Sequence, residues 1–481
     1  MAKRALLAGV MASTLAGCSF APVYHPPVTP APPAFKEASP WTAAQPADLA
    51  ARGPWWTLYG DTTLDTLEAR IGTDNPTLAG ALGRYDQASA YLRQAHAGLF
   101  PTVGAEADVE RIRQSDTRPL RGTTQPAEYG NAATGISIGY ELDLWGRVRN
   151  SVAAGKAEAQ ASADDLAAIR LSLEAQLADS YVRLRGDDQQ MALLSATVDA
   201  YAKADAMTQR RFQGGIASGI DTGRSGTQLA EAQAQLDDVR AARALTEHAI
   251  ASLVGTPASS FAIPGAVVPL ALPAVPTGLP ATLLERRPDV AAAERRMAAA
   301  NAEIGVAKAA FFPAITLGGQ AGFQSGGVPG LFAAPSTFWS IGPGAVLNLF
   351  DGGKRRAQVA VARAAWTQAT AAYRGELLQA FQDVEDNLAQ LHHLGDEAQA
   401  EDRAVQQAGQ TEALSLNRYV KGAVTYLDVV TAQTTALRTR RVALELGTRR
   451  LQASIGLVRA TGGGWPMGQH SNPATERARR G

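Results

Sequence analysis

Cysteine is nearly absent, one in 481 residues, which excludes an internal disulfide framework and any cysteine-cluster zinc or iron–sulfur site. Surplus charge is lacking as well: 45 Lys+Arg balance 45 Asp+Glu, so there is no basic excess or stripe of the kind a nucleic-acid binder shows. No apolar run reaches 18 residues, and mean hydropathy is −0.10, so no segment is fit to be a mature transmembrane helix. Histidines number only six. Gly223-Arg224-Ser225-Gly226 lacks the Gly-x-Ser-x-Gly spacing of a nucleophile elbow, and no phosphate-cradling Gly-x-x-x-x-Gly-Lys occurs. His392-His393 with Glu397 sets a histidine and an acid one helical turn apart, but with no third ligand in view the spacing reads as a solvated helix face, and no metal site is assigned. Nothing here supports an enzyme. With 46% hydrophobic and 19% charged residues, the chain does have the material for a sizeable core.

The lone cysteine carries the first positive signal. Lys3 and Arg4 precede an apolar stretch from Ala5 to Ala16 that ends in Leu15-Ala16-Gly17-Cys18. A charged start followed by a short apolar stretch is the layout of a secretory signal, and the last four residues look like a bacterial lipobox, in which Cys18 takes a diacylglyceryl group and then an N-acyl chain. Residues 1–17 are expected to be cleaved, and Ser19, not an aspartate, resembles an outer-membrane address. No other cofactor is implied. Residues 18–54 hold nine prolines, including Pro22, Pro26, Pro27 and Pro54, and read as an extended tether. Residues 462–481, opening with Gly462-Gly463-Gly464, read as a disordered tail.

Between these ends the chain repeats itself. Leu99-Phe100-Pro101 recurs as Phe311-Phe312-Pro313, and Asn75-Pro76 as Arg287-Pro288, both offset by 212. Leu144-Trp145-Gly146-Arg147 has a counterpart in Leu349-Phe350-Asp351-Gly352-Gly353-Lys354. Arg211-Phe212-Gln213-Gly214-Gly215 through Asp221 matches Arg418-Tyr419-Val420-Lys421-Gly422 through Asp428, offset by 207. The expectation is a first repeat at 55–254, a Pro-rich connection at 255–280 and a second repeat at 281–461, each built as helix, two strands, long helix, tight turn, helix.

The strands alternate. Ile136, Ile138, Tyr140, Leu142 and Leu144 share one face of 134–145, and Val103, Ala105, Ala107 and Val109 oppose Glu106, Asp108 and Glu110 in 102–110. Ile315, Leu317, Gly319, Ala321 and Phe323 repeat the pattern, as do Trp339, Ile341, Ala345, Leu347 and Leu349. Such segments of about 10 residues fit transmembrane β-strands, although a soluble sheet packed on one face carries the same alternation. The helices bear on that choice. Proline is absent from Gly146 to Arg211 and from Gly353 to Tyr419, and about 65 residues at 1.5 Å each make a rod of roughly 100 Å, longer than a compact globule of this length is wide, about 60 Å. Rods of that length pack side by side as a coiled-coil bundle. Four strands cannot close a membrane barrel, which needs at least about eight, so two, three or four chains would have to share one.

Lipobox, proline tether, Trp55-Trp56 with Asp61 and Leu64, the duplicated Phe-Pro before a strand and the duplicated Arg-aromatic-x-x-Gly turn together resemble the outer membrane factor family, the TolC/OprM/NodT-like channels of tripartite efflux and secretion systems, in its lipoprotein branch. The resemblance implies an α+β membrane protein: a homotrimer with one 12-stranded antiparallel β-barrel in the outer membrane, continued by a coiled-coil α-helical barrel in the periplasm. It implies a passive conduit for small molecules, fed by a periplasmic adaptor (membrane fusion) protein and an inner-membrane pump of the RND type. It places the two turns at the periplasmic tip, with Gly215, Ser218, Gly422 and Thr425 as adaptor contacts and Asp428, Tyr419 and Leu427 as the periplasmic gate. Asp221 and Asp428 also fit plain helix-start chemistry. A lipid-anchored helical stalk without a pore, structural or adhesive, is the alternative reading.

Overall fold

The computed structural model describes residues 19–25, 36, 53–115, 117, 126–273 and 287–463. Cys18, the signal segment, most of the tether and residues 464–481 lie outside them. In order, the elements are α1 (Thr62–Asp74), α2 (Pro76–Ala97), β1 (Thr102–Arg113), β2 (Glu128–Glu141), α3 (Arg147–Gln213), α4 (Gly219–Leu253), α5 (Pro288–Ala309), β3 (Ala314–Ser325), β4 (Thr337–Val346), α6 (Lys354–Val420) and α7 (Tyr426–Ala460). The two halves of the chain match in length: α2 and α5 have 22 residues each, α3 and α6 have 67, and α4 and α7 have 35. Among the described residues no helix is long and apolar enough to cross a membrane.

Helix boundaries follow local chemistry. Asp61 caps α1 by accepting from the Thr63 and Leu64 amides at 2.8 and 3.3 Å. Asn75 accepts from Leu78 N at 3.0 Å while Pro76 takes the first helical position, where its missing N–H costs nothing. Pro288 opens α5 in the same way.

The described residues form two compact units that cut across the repeats: one gathers those of 1–28, 84–163 and 292–373, the other those of 29–83, 164–291 and 374–481. In the first, the four strands form one antiparallel sheet in the order β1-β2-β3-β4. Register aligns Val103, Ile138, Gly319 and Ile341 across all four strands, and Ala105, Ile136, Ala321 and Trp339 beside them. The alternating apolar residues therefore make one continuous face, and Glu106, Asp108, Ser137, Gln320 and Ser340 lie on the other. Glycine is required where β2 meets β3, because a Cβ on Gly322 would collide with the Thr134 carbonyl and the Gly135 backbone.

Strand ends differ from the expectation. β2 starts at Glu128, because Arg111 and Arg113 of β1 pair with the Glu128 carboxylate at 3.3 and 4.0 Å and carry the ladder past the apolar residues. It stops at Glu141. Leu142 N makes one last bond to Ile315 O at 2.8 Å, and Asp143 then accepts from Arg149 N at 2.8 Å to start α3, so Leu142 and Leu144 belong to the turn. β4 likewise ends at Val346, and Leu347 and Leu349 follow it. The segment after Cys18 is fixed at the foot of this sheet: Ser19 Oγ donates to Asn150 Oδ1 at 3.0 Å, and Phe20 stacks on Phe312 at 4.5 Å, beside Trp145.

The second unit holds the main core, in which Leu64, Leu67 and Ile71 of α1 pack with Leu171, Leu177, Leu184, Ile250, Ile455 and Val458. A polar chain runs through it. Tyr181 donates to Asp61 Oδ2 at 2.8 Å and accepts from Arg185 Nε at 2.9 Å, and Arg185 and Arg243 grip the two oxygens of Asp188 at 2.9 and 2.7 Å. Removing one partner from such a buried network leaves an unpaired charge, so the Arg185–Asp188–Arg243 link fixes α3 against α4.

Candidate functional site

The two interhelix turns are built alike. After α3, Gly215 takes φ +71°, and its N–H and that of Ile216 return to Phe212 O and Arg211 O at 2.9 and 2.8 Å. After α6, Gly422 takes φ +77°, with its N–H and that of Ala423 returning to Tyr419 O and Arg418 O at 2.9 Å. A left-handed glycine closing the last turn of a helix satisfies carbonyls that would otherwise lack donors. Each following helix opens on a hydroxyl–aspartate box. Asp221 Oδ2 accepts from Ser218 N and Oγ at 3.1 and 2.9 Å, and Asp428 Oδ2 from Thr425 N and Oγ1 at 3.0 and 2.8 Å.

The candidate residues divide by exposure. Gly215, Ser218, Gly422, Thr425, Leu427 and Asp428 are exposed. Tyr419 is not: its ring lies edge-on to Tyr426 at 5.2 Å in a small cluster with Val429 and is only 8% exposed. Burial pushes the Tyr426 hydroxyl up to about 12. Its repeat counterpart, Phe212, is exposed and joins Ile216 and Ile220 as bare apolar groups of the first turn. Arg211, which sequence reasoning did not single out, stands with its guanidinium 4.7 Å from the Tyr419 ring and donates from Nη1 to Tyr419 O at 3.2 Å, joining the two turns. The repeated Arg-aromatic pair was the available signal.

On the sheet, Glu106, Asp108 and Glu110 form an acidic stripe on the polar side of β1. Glu110 accepts from Asn131 Nδ2 at 3.2 Å, and Asn131 Oδ1 from Gln324 Nε2 at 2.8 Å, so three strands are tied across that face. The opposite face is bare, with Val103, Val109, Ile136, Trp339 and Ile341 all exposed. At the histidine pair, the acid in reach is Asp396 rather than the Glu397 of the sequence reading: His392 Nε2 and Asp396 Oδ2 are 3.9 Å apart.

A four-stranded sheet with an exposed apolar face and two 67-residue helices that end in capped turns fit an outer-membrane channel protein. The family described as outer membrane efflux protein matches residues 70–256 and 279–463. The chain is 31% identical to outer membrane protein OprJ of Pseudomonas aeruginosa, over 96% of each chain, and 30% identical to the toluene efflux pump outer membrane protein TtgC of Pseudomonas putida, over 97% of this chain and 96% of that one. The open-state outer membrane channel MtrE of Neisseria gonorrhoeae superimposes with a TM-score of 0.81 at 26% identity, covering 93% of this chain and 98% of that one. The chain belongs to the outer membrane efflux protein family and is an outer-membrane efflux channel protein.

Proposed function

We propose that three copies of this chain close their sheets into one 12-stranded barrel in the outer membrane, that the paired helices continue it as a periplasmic tunnel, and that the whole is a passive conduit for small molecules in a tripartite efflux pump. The observation that carries this is the sheet itself. Its apolar face is continuous over four strands, yet among the described residues β1 and β4 each keep an unpaired edge, and lipid does not tolerate open edges. Pairing β1 of one copy with β4 of the next removes every edge, places Val103, Ile136, Trp339 and Ile341 against lipid, and turns Glu106, Asp108 and Glu110 to a water-filled lumen.

Acylation of Cys18 would hold the chain to the inner surface of the same membrane, and the anchoring of the adjacent Ser19–Phe20 at the foot of the sheet supports this. The partners are a periplasmic adaptor docking on the exposed turns at Gly215, Ser218, Gly422 and Thr425, and an inner-membrane pump of the RND type that supplies the energy. The relative named for toluene efflux supports a cargo of small organic molecules. Leu427 and Asp428, both exposed, present a closing side chain and a carboxylate to the tunnel mouth, while Tyr419 supports them from beneath as the buried anchor of the second turn.

The test is a cysteine scan along β1 in a chain that also carries Ser340→Cys. Oxidation in membranes is expected to yield a ladder ending at a three-chain band for one pairing register. Cross-linking that stops at two chains, or none at any register with protein present in the outer membrane, refutes the shared barrel.

A further inference from the structure

We infer that His392, His393 and Asp396 form a binding site for a divalent transition-metal ion on α6. The donor atoms of the three side chains all lie within 4.8 Å of one another. His392 Nε2 and Asp396 Oδ2 are 3.9 Å apart, and the two imidazole rings meet edge to face at 5.0 Å. A tetrahedral zinc ion with ligand bonds near 2.1 Å needs its donors about 3.4 Å apart, so closure asks for rotations about side-chain bonds and no movement of the helix.

The helix under the site is held in place. Leu391 and Leu394 are buried and fix the opposite side of the same turns. The donors face solvent: His393 and Asp396 are exposed and His392 is half-buried, so an ion and the water that completes its shell have access. Residues four apart share a helix face, which pairs His392 with Asp396 and equally His393 with Glu397. The orientation of the rings decides between them: His393 meets His392 edge to face at 5.0 Å, and its donor atom lies with those of His392 and Asp396. Two imidazoles and one carboxylate suit zinc, copper or nickel. Magnesium and calcium, which prefer all-oxygen shells, are excluded by the same donor set.

The experiment titrates zinc chloride into the full-length chain, purified in detergent without a polyhistidine tag, and reads heat by calorimetry. One ion per chain is expected, with no heat from magnesium chloride. His392→Ala and Asp396→Asn are expected to weaken binding about tenfold or more, while Glu397→Gln binds as the parent does. Asp396→His, which keeps a donor at the same place, is expected to retain or tighten binding, a result that a merely structural role for Asp396 would not produce. Helix content by circular dichroism confirms that each variant is folded. The site is refuted if folded His392→Ala binds zinc as tightly as the parent, if Glu397→Gln is the weaker acid variant, or if the parent takes up no zinc.

Discussion

Arg211 and Tyr419 tie the two turns together: the guanidinium lies 4.7 Å from the ring, and Nη1 donates to the Tyr419 carbonyl at 3.2 Å. One side chain from the first repeat thus adds a second donor to the Tyr419 carbonyl, which already accepts from Gly422 N, and covers the aromatic cluster that fills the second turn. Arg211→Ala removes both contacts and is expected to destabilise the tips by about 1–2 kcal/mol. Amides of 419–426 should then exchange hydrogen faster, with the Leu64–Leu184 core unchanged. Arg211→Lys keeps the charge but loses the planar stack, so it should fall nearer to alanine than to wild type. Unaltered exchange in both variants would mean that the link is incidental.

The two boxes permit a controlled test of the acid proposed for the gate. Asp221 and Asp428 make the same two bonds to their capping residues, so Asp221→Ala and Asp428→Ala each lose a helix start, at about 0.5–2 kcal/mol. Any effect of Asp428→Ala on stability should therefore be matched by Asp221→Ala. Block of the channel by divalent cations in planar bilayers is expected to weaken in the Asp428 variant alone, since the ring of three carboxylates that the proposed trimer would form binds cations. Equal block in the two variants would reduce Asp428 to helix capping.

Glu68 is a buried acid without a partner. It sits on the core face of α1 with Leu64, Leu67 and Ile71, is only 2% exposed, and neither carboxyl oxygen has a hydrogen-bond partner. Burial, with Glu174 and Asp65 nearby, pushes its pKa up to about 10. An acid that holds its proton more tightly when folded contributes most below its unfolded value, near 4.5, and loses that contribution as pH rises toward 10. Between pH 4.5 and 7 this amounts to about 3 kcal/mol, at 1.36 kcal/mol per pH unit. Glu68→Met should raise the melting temperature at pH 7 and flatten its fall with pH, whereas Glu68→Gln should flatten the fall with less gain. A wild-type melting temperature that is level from pH 5 to 8 would contradict this.

Features set by local rules were legible in the sequence. The α3 and α6 rods were bounded to within a residue or two because proline is absent inside them and Gly215 and Gly422 close their last turns. The strand faces were legible because alternation is a local property, and the register later joined them into one surface. Strand ends were not, since the Arg111–Glu128 pair and the Asp143 cap compete with periodicity over distances that a single strand does not show. Nor was the fate of Tyr419. Its repeat counterpart Phe212 is exposed, and only the packing of Arg211 and Tyr426 decides that one aromatic of the pair is inside. The compact units also cut across the repeats, because strands of both copies pair in one sheet, which no internal match reveals.

The polar face of the sheet carries the last prediction. Glu106, Asp108 and Glu110 lie on one side of β1, and among the described residues no arginine or lysine forms a salt bridge with any of them. In a closed barrel of three copies they would line the lumen three times over and raise the local concentration of cations. Channels reconstituted in planar bilayers under a potassium chloride gradient should thus show a cation-selective reversal potential. Combining Glu106→Gln, Asp108→Asn and Glu110→Gln in one chain should move that potential toward zero while conductance at high salt is kept, because screening already weakens the field there. Since these side chains face away from the apolar side, the variant is expected to assemble as the parent does. A reversal potential that the triple replacement leaves unmoved would place the selectivity elsewhere, with Asp428 at the turn as the next acid to remove.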